Sequence, residues 1–361
     1  MENNSRQNIS EVQNYVCQGC GANMKFDPES QTLKCEYCNN SQEVLSQDKH
    51  IKEYDFKTAE DMASKDWGSE TKVVQCTSCG SEVVFNSLEV ATKCSFCGSA
   101  YTVKNEATIG IAPESLIPFK ISEKKANEMF SDWIKKRPYA PEALRTSYKN
   151  DKMTGIYIPF WTYDVDTISD YSIEVGNNHH ITENYVVDGN TKKRTVKKMI
   201  WKTNNGKYSK YYDDILINAS KQIDEKLMKE LEPFHLKELV AYDPKFLSGF
   251  AAEKYSIGLK EGWENAKRGV DEDIMSYIKE NNKGEKIGDI NISTSYNDIK
   301  FKHILVPVWI SSYTYKNKVY RYIINGQTGE VQGDAPTSLI KLLLGMAFLI
   351  AIGYFILRHY K

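Results

Sequence analysis

Two stretches of the chain, VCQGCGANMKFDPESQTLKCEYCNN (residues 16–40) and QCTSCGSEVVFNSLEVATKCSFCGS (75–99), repeat the pattern C-x2-C-G-x4-F-x7-K-C-x2-C without a gap. Cys17, Cys20, Gly21, Phe26, Lys34, Cys35 and Cys38 recur 59 positions later as Cys76, Cys79, Gly80, Phe85, Lys93, Cys94 and Cys97, and these sites use all eight cysteines. A C-x2-C turn puts two sulfurs on one side of a tight knuckle, and Zn2+ takes four thiolates in a tetrahedron at ~2.3 Å. The fourteen residues between Cys20 and Cys35, and between Cys79 and Cys94, suffice for a short hairpin that returns the second knuckle beside the first. Gly21 and Gly80 suit a left-handed backbone position that turns a peptide N–H toward sulfur. Phe26 and Phe85 are expected to cover what core there is. Units this small bury too little apolar area to fold alone, so bound metal supplies much of their folding free energy. The pattern predicts two zinc ribbons, one Zn2+ in each. Iron accepts the same ligands. Four thiolates close the coordination shell and leave no position for water, so the sites are expected to be structural, with a redox switch the other reading.

Ribbons of this kind often touch nucleic acid, and charge argues against it here. Residues 1–104 hold ten Lys and Arg against fifteen Asp and Glu, a balance of −5. Each tetrathiolate zinc site adds −2, which takes the region to about −9, whereas phosphate backbones are bound by clustered Lys and Arg. Protein contact is the favoured reading. The whole chain carries −1 and has no global pull toward a polyanion.

The expected fold class is α+β, organised as follows. Residues 1–14 are polar and expected to be disordered; 15–46 form ribbon 1; 47–71 are a charged connector; 72–104 form ribbon 2. Residues 105–336 form a mixed α+β domain with mostly antiparallel sheet. It opens on a helix capped by Ser122, with Ala126, Met129, Phe130, Trp133 and Ile134 on one face and Pro138 as its stop. A second short helix is expected in PEALRTSYKN. Strands follow over 155–217, with turn signals at VDGN and NNGK, then broken helices over 218–281 and a final β run. IYIPFWTY (156–163) and ILVPVWIS (304–311) echo each other through Pro159/Trp161 and Pro307/Trp309. They read as edge or bulged strands, either duplicated or coincident.

The C-terminus departs from this pattern. Leu342 to Leu357 are 16 uncharged, mostly apolar residues, extended to 19 from Leu339 if Lys341 snorkels. Nineteen residues at ~1.5 Å each reach about 28 Å, close to a hydrocarbon core of about 30 Å. The expectation is one transmembrane helix over 339–357. With the polar start MENNSRQNIS and reduced cysteines, this predicts a single-pass cell-membrane protein whose N-terminal domains, on their connector, reach into the cytoplasm.

Motifs for chemistry are missing: there is no G-x4-G-K-[ST], H-E-x-x-H, G-x-S-x-G or G-x-G-x-x-G, and no cysteine remains as a nucleophile. His179 and His180 are expected in a surface turn. TKKRTVKKMIWK (191–202) is the one dense basic stretch. It reads as a solvated strand face, or as a contact for anionic lipid headgroups. No catalytic or small-molecule site is expected.

The ribbons, LIPFKIS, GIYIPFWTYD, YDPKFLSGF, VPVWISSYTYKNKVYRYIINGQTGEVQGDAP and the apolar terminus together resemble the YdjG-type membrane zinc-ribbon proteins of bacteria. Such chains carry transcription-factor-like or primosomal-helicase-like labels, and the missing phosphate loop contradicts the helicase one. The resemblance implies a non-enzymatic membrane-anchored scaffold that recruits an SPFH-domain (flotillin-like) protein and phage-shock protein A in envelope stress, beside a related membrane subunit. The alternative is a membrane-tethered regulator whose ribbons bind nucleic acid or polymerase.

Overall fold

The computed structural model describes residues 15–44, 51–58, 71–86, 94–97, 99, 101–103, 110–141, 153–188, 190–315, 318–334 and 338–359. The expected disordered N-terminus and the helix in PEALRTSYKN lie outside the described residues.

Ribbon 1 is a three-stranded antiparallel sheet of β1 (Lys25–Asp27), β2 (Thr32–Lys34) and β3 (Ser41–Glu43). Between the ribbons lies β4 (Tyr54–Asp55). Ribbon 2 comprises β5 (Thr71–Cys76), β6 (Glu82–Asn86) and β7 (Tyr101–Val103). After β8 (Ser115–Leu116) comes α1 (Glu123–Lys135). Its start and face are those expected: Ser122 Oγ accepts from Lys125 N, and Ala126, Phe130 and Ile134 are buried at four-residue spacing.

Two very long strands follow, β9 (Thr154–Val187) and β10 (Asn190–Asn218), joined at the VDGN turn, where Asp188 takes φ 52°. NNGK, expected as a turn, is strand: Gly206 pairs with Tyr171, whose hydroxyl would clash with a Cβ at this position. Next come α2 (Glu225–Leu231), β11 (Val240–Ala241), β12 (Ala251–Glu253) and α3 (Leu259–Asn281). The final β run is β13 (Lys286–Tyr315), β14 (Lys318–Asn325) and β15 (Val331–Gly333), with the INGQTG turn closed by Gly329 at φ +83°. The chain ends in α4 (Leu339–His359).

One twelve-stranded sheet organises the molecule. Its main path is β11-β8-β13-β9-β12-β6-β5-β7, with β10 added on β9, β14 and β15 beyond β13, and β4 also on β13. In its centre β9 is apolar without alternation because both faces are covered: Ile156, Ile158 and Phe160 enter one core cluster, Tyr157 a second, and Trp161 and Tyr163 a third. The two Pro–Trp stretches are antiparallel neighbours in this centre rather than edges, with Pro159 opposite Leu305 and Pro307 opposite Tyr157. Each proline stands where the next strand's pairing stops, and its carbonyl accepts a loop N–H, from Ala219 (3.0 Å) and Gly326 (2.8 Å) respectively. Both indoles donate to main-chain carbonyls at 2.9 Å, Trp161 to Ile257 and Trp309 to Ile121.

The expected fold class, an α+β chain closing on a transmembrane helix, needs correction. Sheet dominates, with four α-helices among the described residues. Residues 339–359 are helical, yet among the described residues no helix is long and apolar enough to cross a membrane. Lys341 does not snorkel: its ammonium donates to Ala140 O at 2.9 Å and Ser338 N to Tyr139 O at 2.7 Å, so the first turn is tied to the domain. What remains, Leu342 to Leu357, is 16 residues, or about 24 Å against a core of about 30 Å. The side chains of Leu342, Leu344 and Phe348 in this segment lie outside the described residues. The expected single-pass cell-membrane location with cytoplasmic N-terminal domains is corrected along with the span on which it rested.

Candidate metal centres

Each knuckle is built by its own backbone. Gly21 and Gly80 both take φ +76°, the left-handed position expected for them, and return their N–H groups to Cys17 O (2.8 Å) and Cys76 O (2.9 Å). Asn39 does the same at the second knuckle of ribbon 1, with φ 59° and its N–H 3.0 Å from Cys35 O. The turns aim main-chain N–H groups at sulfur: Ala22 to Cys20, Cys38 and Tyr37 to Cys35, and Asn40 to Cys38. Such donors stabilise thiolate.

The structure assembles both tetrads. Among the described residues, Cys17, Cys20, Cys35 and Cys38, and Cys76, Cys79, Cys94 and Cys97, are the two His, Cys, Asp or Glu groups whose ligand atoms lie within 4.8 Å of one another. Sγ–Sγ separations are 3.3 Å for Cys17–Cys38 and 3.4 Å for Cys20–Cys35 in ribbon 1. In ribbon 2 they are 3.4 Å for Cys76–Cys97 and 3.7 Å for Cys79–Cys94. A tetrahedron with ~2.3 Å bonds has edges of about 3.8 Å, so the sulfurs already stand near the corners that Zn2+ requires. The donor set and geometry are compatible with zinc, and each group could hold one metal ion.

Without metal the thiols share protons unequally. The hydrogen bond from Cys38 leads in drawing Cys17 down to about 6. Cys38, in spite of the Asn40 N–H that favours its thiolate, is pushed up to about 12 by Cys17 and Cys20. Metal binding therefore displaces protons.

Both ribbons are docked, where the sequence suggested free reach. Phe26 of ribbon 1, 3% exposed, packs edge-on against Phe246 (5.1 Å) and Phe250 (6.4 Å) of the domain, and Phe26 N donates to Ser248 O. Ribbon 2 is hydrogen-bonded into the main sheet through β6 and β12, with Val84 opposite Ala252 and Val83 opposite Glu253. Cys76 and Cys94 belong to the same core cluster as Ile156 and Val306. The side chain of Phe85 lies outside the described residues.

Residues 51–58, between the ribbons, are fastened as well. Tyr54 and Asp55 pair with Phe301 and Lys300, Tyr54 OH donates to Glu114 (2.7 Å), and Phe56 enters an aromatic group with Tyr163, Trp263 and Phe301. Beneath it Lys302, 6% exposed, holds Glu53 (3.3 Å) and Asp214 (2.7 Å). Burial works against the Lys302 charge, and Asp214, Asp164 and Glu53 together overcome it. Asp164, 1% exposed, accepts Asp214 N–H (2.8 Å), and burial pushes its carboxyl up to about 6.

Sequence reasoning missed three features. Ser81 is 2% exposed with its Oγ 3.4 Å from both Cys79 Sγ and Cys94 Sγ. Its place directly after the C-x2-C-G knuckle was the available signal. The Asp164–Lys302 group was foreshadowed by Asp164, the first of two aspartates that close the mostly apolar IYIPFWTYDVD run. Glu253, 1% exposed with only Ser220 Oγ (2.8 Å) on one oxygen, had no such marker. His179 and His180 lie in β9 and not in a turn, opposite Lys198 and Lys197, and neither belongs to a tetrad.

No protein-family model matches the chain, and no solved structure matches it. It is 30% identical over 327 residues to the "Uncharacterized protein YdjG" of Bacillus subtilis (strain 168), with 90% of each chain covered. Similarity of that extent shows that the chain belongs to the YdjG family.

Proposed function

We propose that the chain is a non-enzymatic adaptor whose two structural zinc sites hold an acidic surface ready for protein partners. The observation that carries this reading is the pair of complete tetrathiolate sites. Four sulfurs at tetrahedral spacing fill the shell of Zn2+, so the ion would shape the ribbon and not activate water. The ribbon region's balance of about −9 with zinc bound disfavours phosphate backbones and favours proteins with basic faces. Family resemblance supplies the partner class: an SPFH-domain protein and a phage-shock-type protein in envelope stress.

The test is affinity capture with the full chain, zinc-loaded, against a Cys17→Ser/Cys76→Ser variant, with and without nuclease and at two salt concentrations. Capture of SPFH-domain or phage-shock-type proteins that survives nuclease and is lost in the variant supports the adaptor. Capture of nucleic acid or polymerase, or of the same proteins equally by the variant, refutes it.

A further inference from the structure

Helix α3 shows how this sheet binds a helix. Val270, Ile274 and Ile278 are buried on Ile173 and Val175. At the flanks Asp273 accepts from Lys210 Nζ and Tyr212 OH, both at 2.7 Å, Asp271 accepts from Tyr296 OH, and Tyr277 stacks on Tyr208 at 3.9 Å. An aliphatic stripe and a row of carboxylates thus meet an aliphatic stripe flanked by Lys and Tyr.

The helix stops at Asn281, where Asn204 bonds Asn282 at 3.2 Å, and β13 begins its pairing at Gly176. The β9–β10 hairpin does not stop there. It continues to Val187 and Asn190 in unbroken antiparallel register, so the same side of the sheet runs on as a two-stranded arm. Directly paired residues share a face and the faces alternate. The face that α3 covers therefore carries, beyond the helix, Ile200 opposite Asn177, Lys198 opposite His179, Val196 opposite Ile181, Arg194 opposite Glu183, and Lys192 opposite Tyr185. Ile200 is 44% exposed, and Val196 and Ile181 are half-buried by each other. The aliphatic stripe with Lys and Tyr flanks is repeated here. Residues 177–202 hold six Lys and Arg against two acids, a balance of +4 in a chain of net −1.

We infer that this distal face is the seat of an acidic amphipathic helix from a partner protein, laid on the arm in continuation of α3. From Asn177 to Val187 the strand spans about 35 Å, room for a helix of about six turns. A phosphate polymer or a lipid surface fits less well. A phosphate polymer would leave the Ile181–Val196–Ile200 stripe uncovered, and against either anionic surface Glu183, which engages Arg194 at 3.4 Å, lies within the face. A helix with carboxylates beside its apolar stripe satisfies both parts, in the helix-in-groove manner of recognition. The inference deepens the adaptor reading and rests on it for the class of partner. The two remain separable, since cysteine variants probe the ribbons and arm variants the hairpin.

The probe is a capped, fluorescein-labelled peptide copying residues 259–281, which presents Val270, Ile274 and Ile278 with Asp271 and Asp273. Anisotropy is read with the zinc-loaded full chain. Saturable binding is expected, weakened at least about tenfold, or ~1.4 kcal/mol, by Lys192→Glu/Arg194→Glu/Lys198→Glu. It should be unchanged by Lys193→Glu/Lys197→Glu on the opposite face and lost with a scrambled peptide of the same composition. Unfolding midpoints equal to that of the parent show that both variants keep the fold. Equal loss in the two variants, equal binding of the scrambled peptide, or no saturable binding overturns the proposal. So does arm-dependent binding of a DNA duplex or of phosphatidylglycerol vesicles in place of the peptide.

Discussion

Glu253→Gln tests how ribbon 2 is joined to the rest of the molecule. The joint is β12, three residues long, with β6 of the ribbon on one side and β9 on the other. Glu253 sits in it 1% exposed, with one carboxyl oxygen bonded by Ser220 and the other without a partner among the described residues. Burial pushes this carboxyl from 4.5 to about 8. A raised carboxyl means that the folded chain holds the proton to higher pH than the unfolded chain does. Stability from the neutral acid is thus fully present below about pH 4.5 and is lost as pH rises to about 8. Each unit is worth ~1.4 kcal/mol, so the cost accumulated by pH 8 is on the order of 3–5 kcal/mol. Glutamine keeps the shape and still accepts from Ser220, but does not titrate. In urea unfolding from pH 5 to 8 the variant should gain on the parent by about 1 kcal/mol per unit, and the difference cancels every other titrating group. At pH 8 the amides of Val83 and Val84 should exchange more slowly in the variant than in the parent. A stability difference that stays flat from pH 5 to 8 would refute the burial argument.

Three other perturbations follow from the same structure. Phe26→Ala should cost about 3 kcal/mol and loosen ribbon 1 from Phe246 and Phe250 while metal content stays unchanged, checked by unfolding and by metal analysis. Cys76→Ser/Cys79→Ser should lower bound metal from two ions to one and reduce the melting temperature more than Cys17→Ser/Cys20→Ser does, because β5–β7 are part of the main sheet and β1–β3 are not. Lys302→Met should cost about 3–5 kcal/mol by leaving Asp164 and Asp214 without their cation, while Glu53 keeps Lys300 at 3.7 Å. Limited proteolysis should then cut first near residues 51–58.

The gathering of the two cysteine tetrads was legible because ligand chemistry is written locally: four cysteines at fixed spacing, with a glycine where the knuckle needs positive φ. The α1 helix was legible for the same kind of reason, a capping serine followed by apolar residues every four positions. Docking was not legible. Phe26 meets Phe246 and Phe250 some 220 positions away, and nothing near Phe26 states that. NNGK misled because its composition is that of a turn, while the decisive fact is a Tyr171 ring that occupies the space beside Gly206. Glu253 could not be found because glutamate on a short strand reads as surface, and its burial depends on β6, β9 and Ser220 closing around it together. The terminal segment was read from its apolar run and basic flanks, without the Lys341–Ala140 bond that ties down its start.

The central pairing of β9 with β13 also sets an order of events during synthesis. Trp161 lies opposite His303, so the ribosome must add roughly 140 more residues before the partner exists, about 7–30 s at 5–20 residues per second. For that time the most apolar strand of the chain has a bare edge. The hairpin with β10, complete within about 60 residues, covers the other edge first and holds β9 extended in the right register. The length of that hairpin, beyond any use of its tip, thus gives the nascent chain a template on which β13 can close.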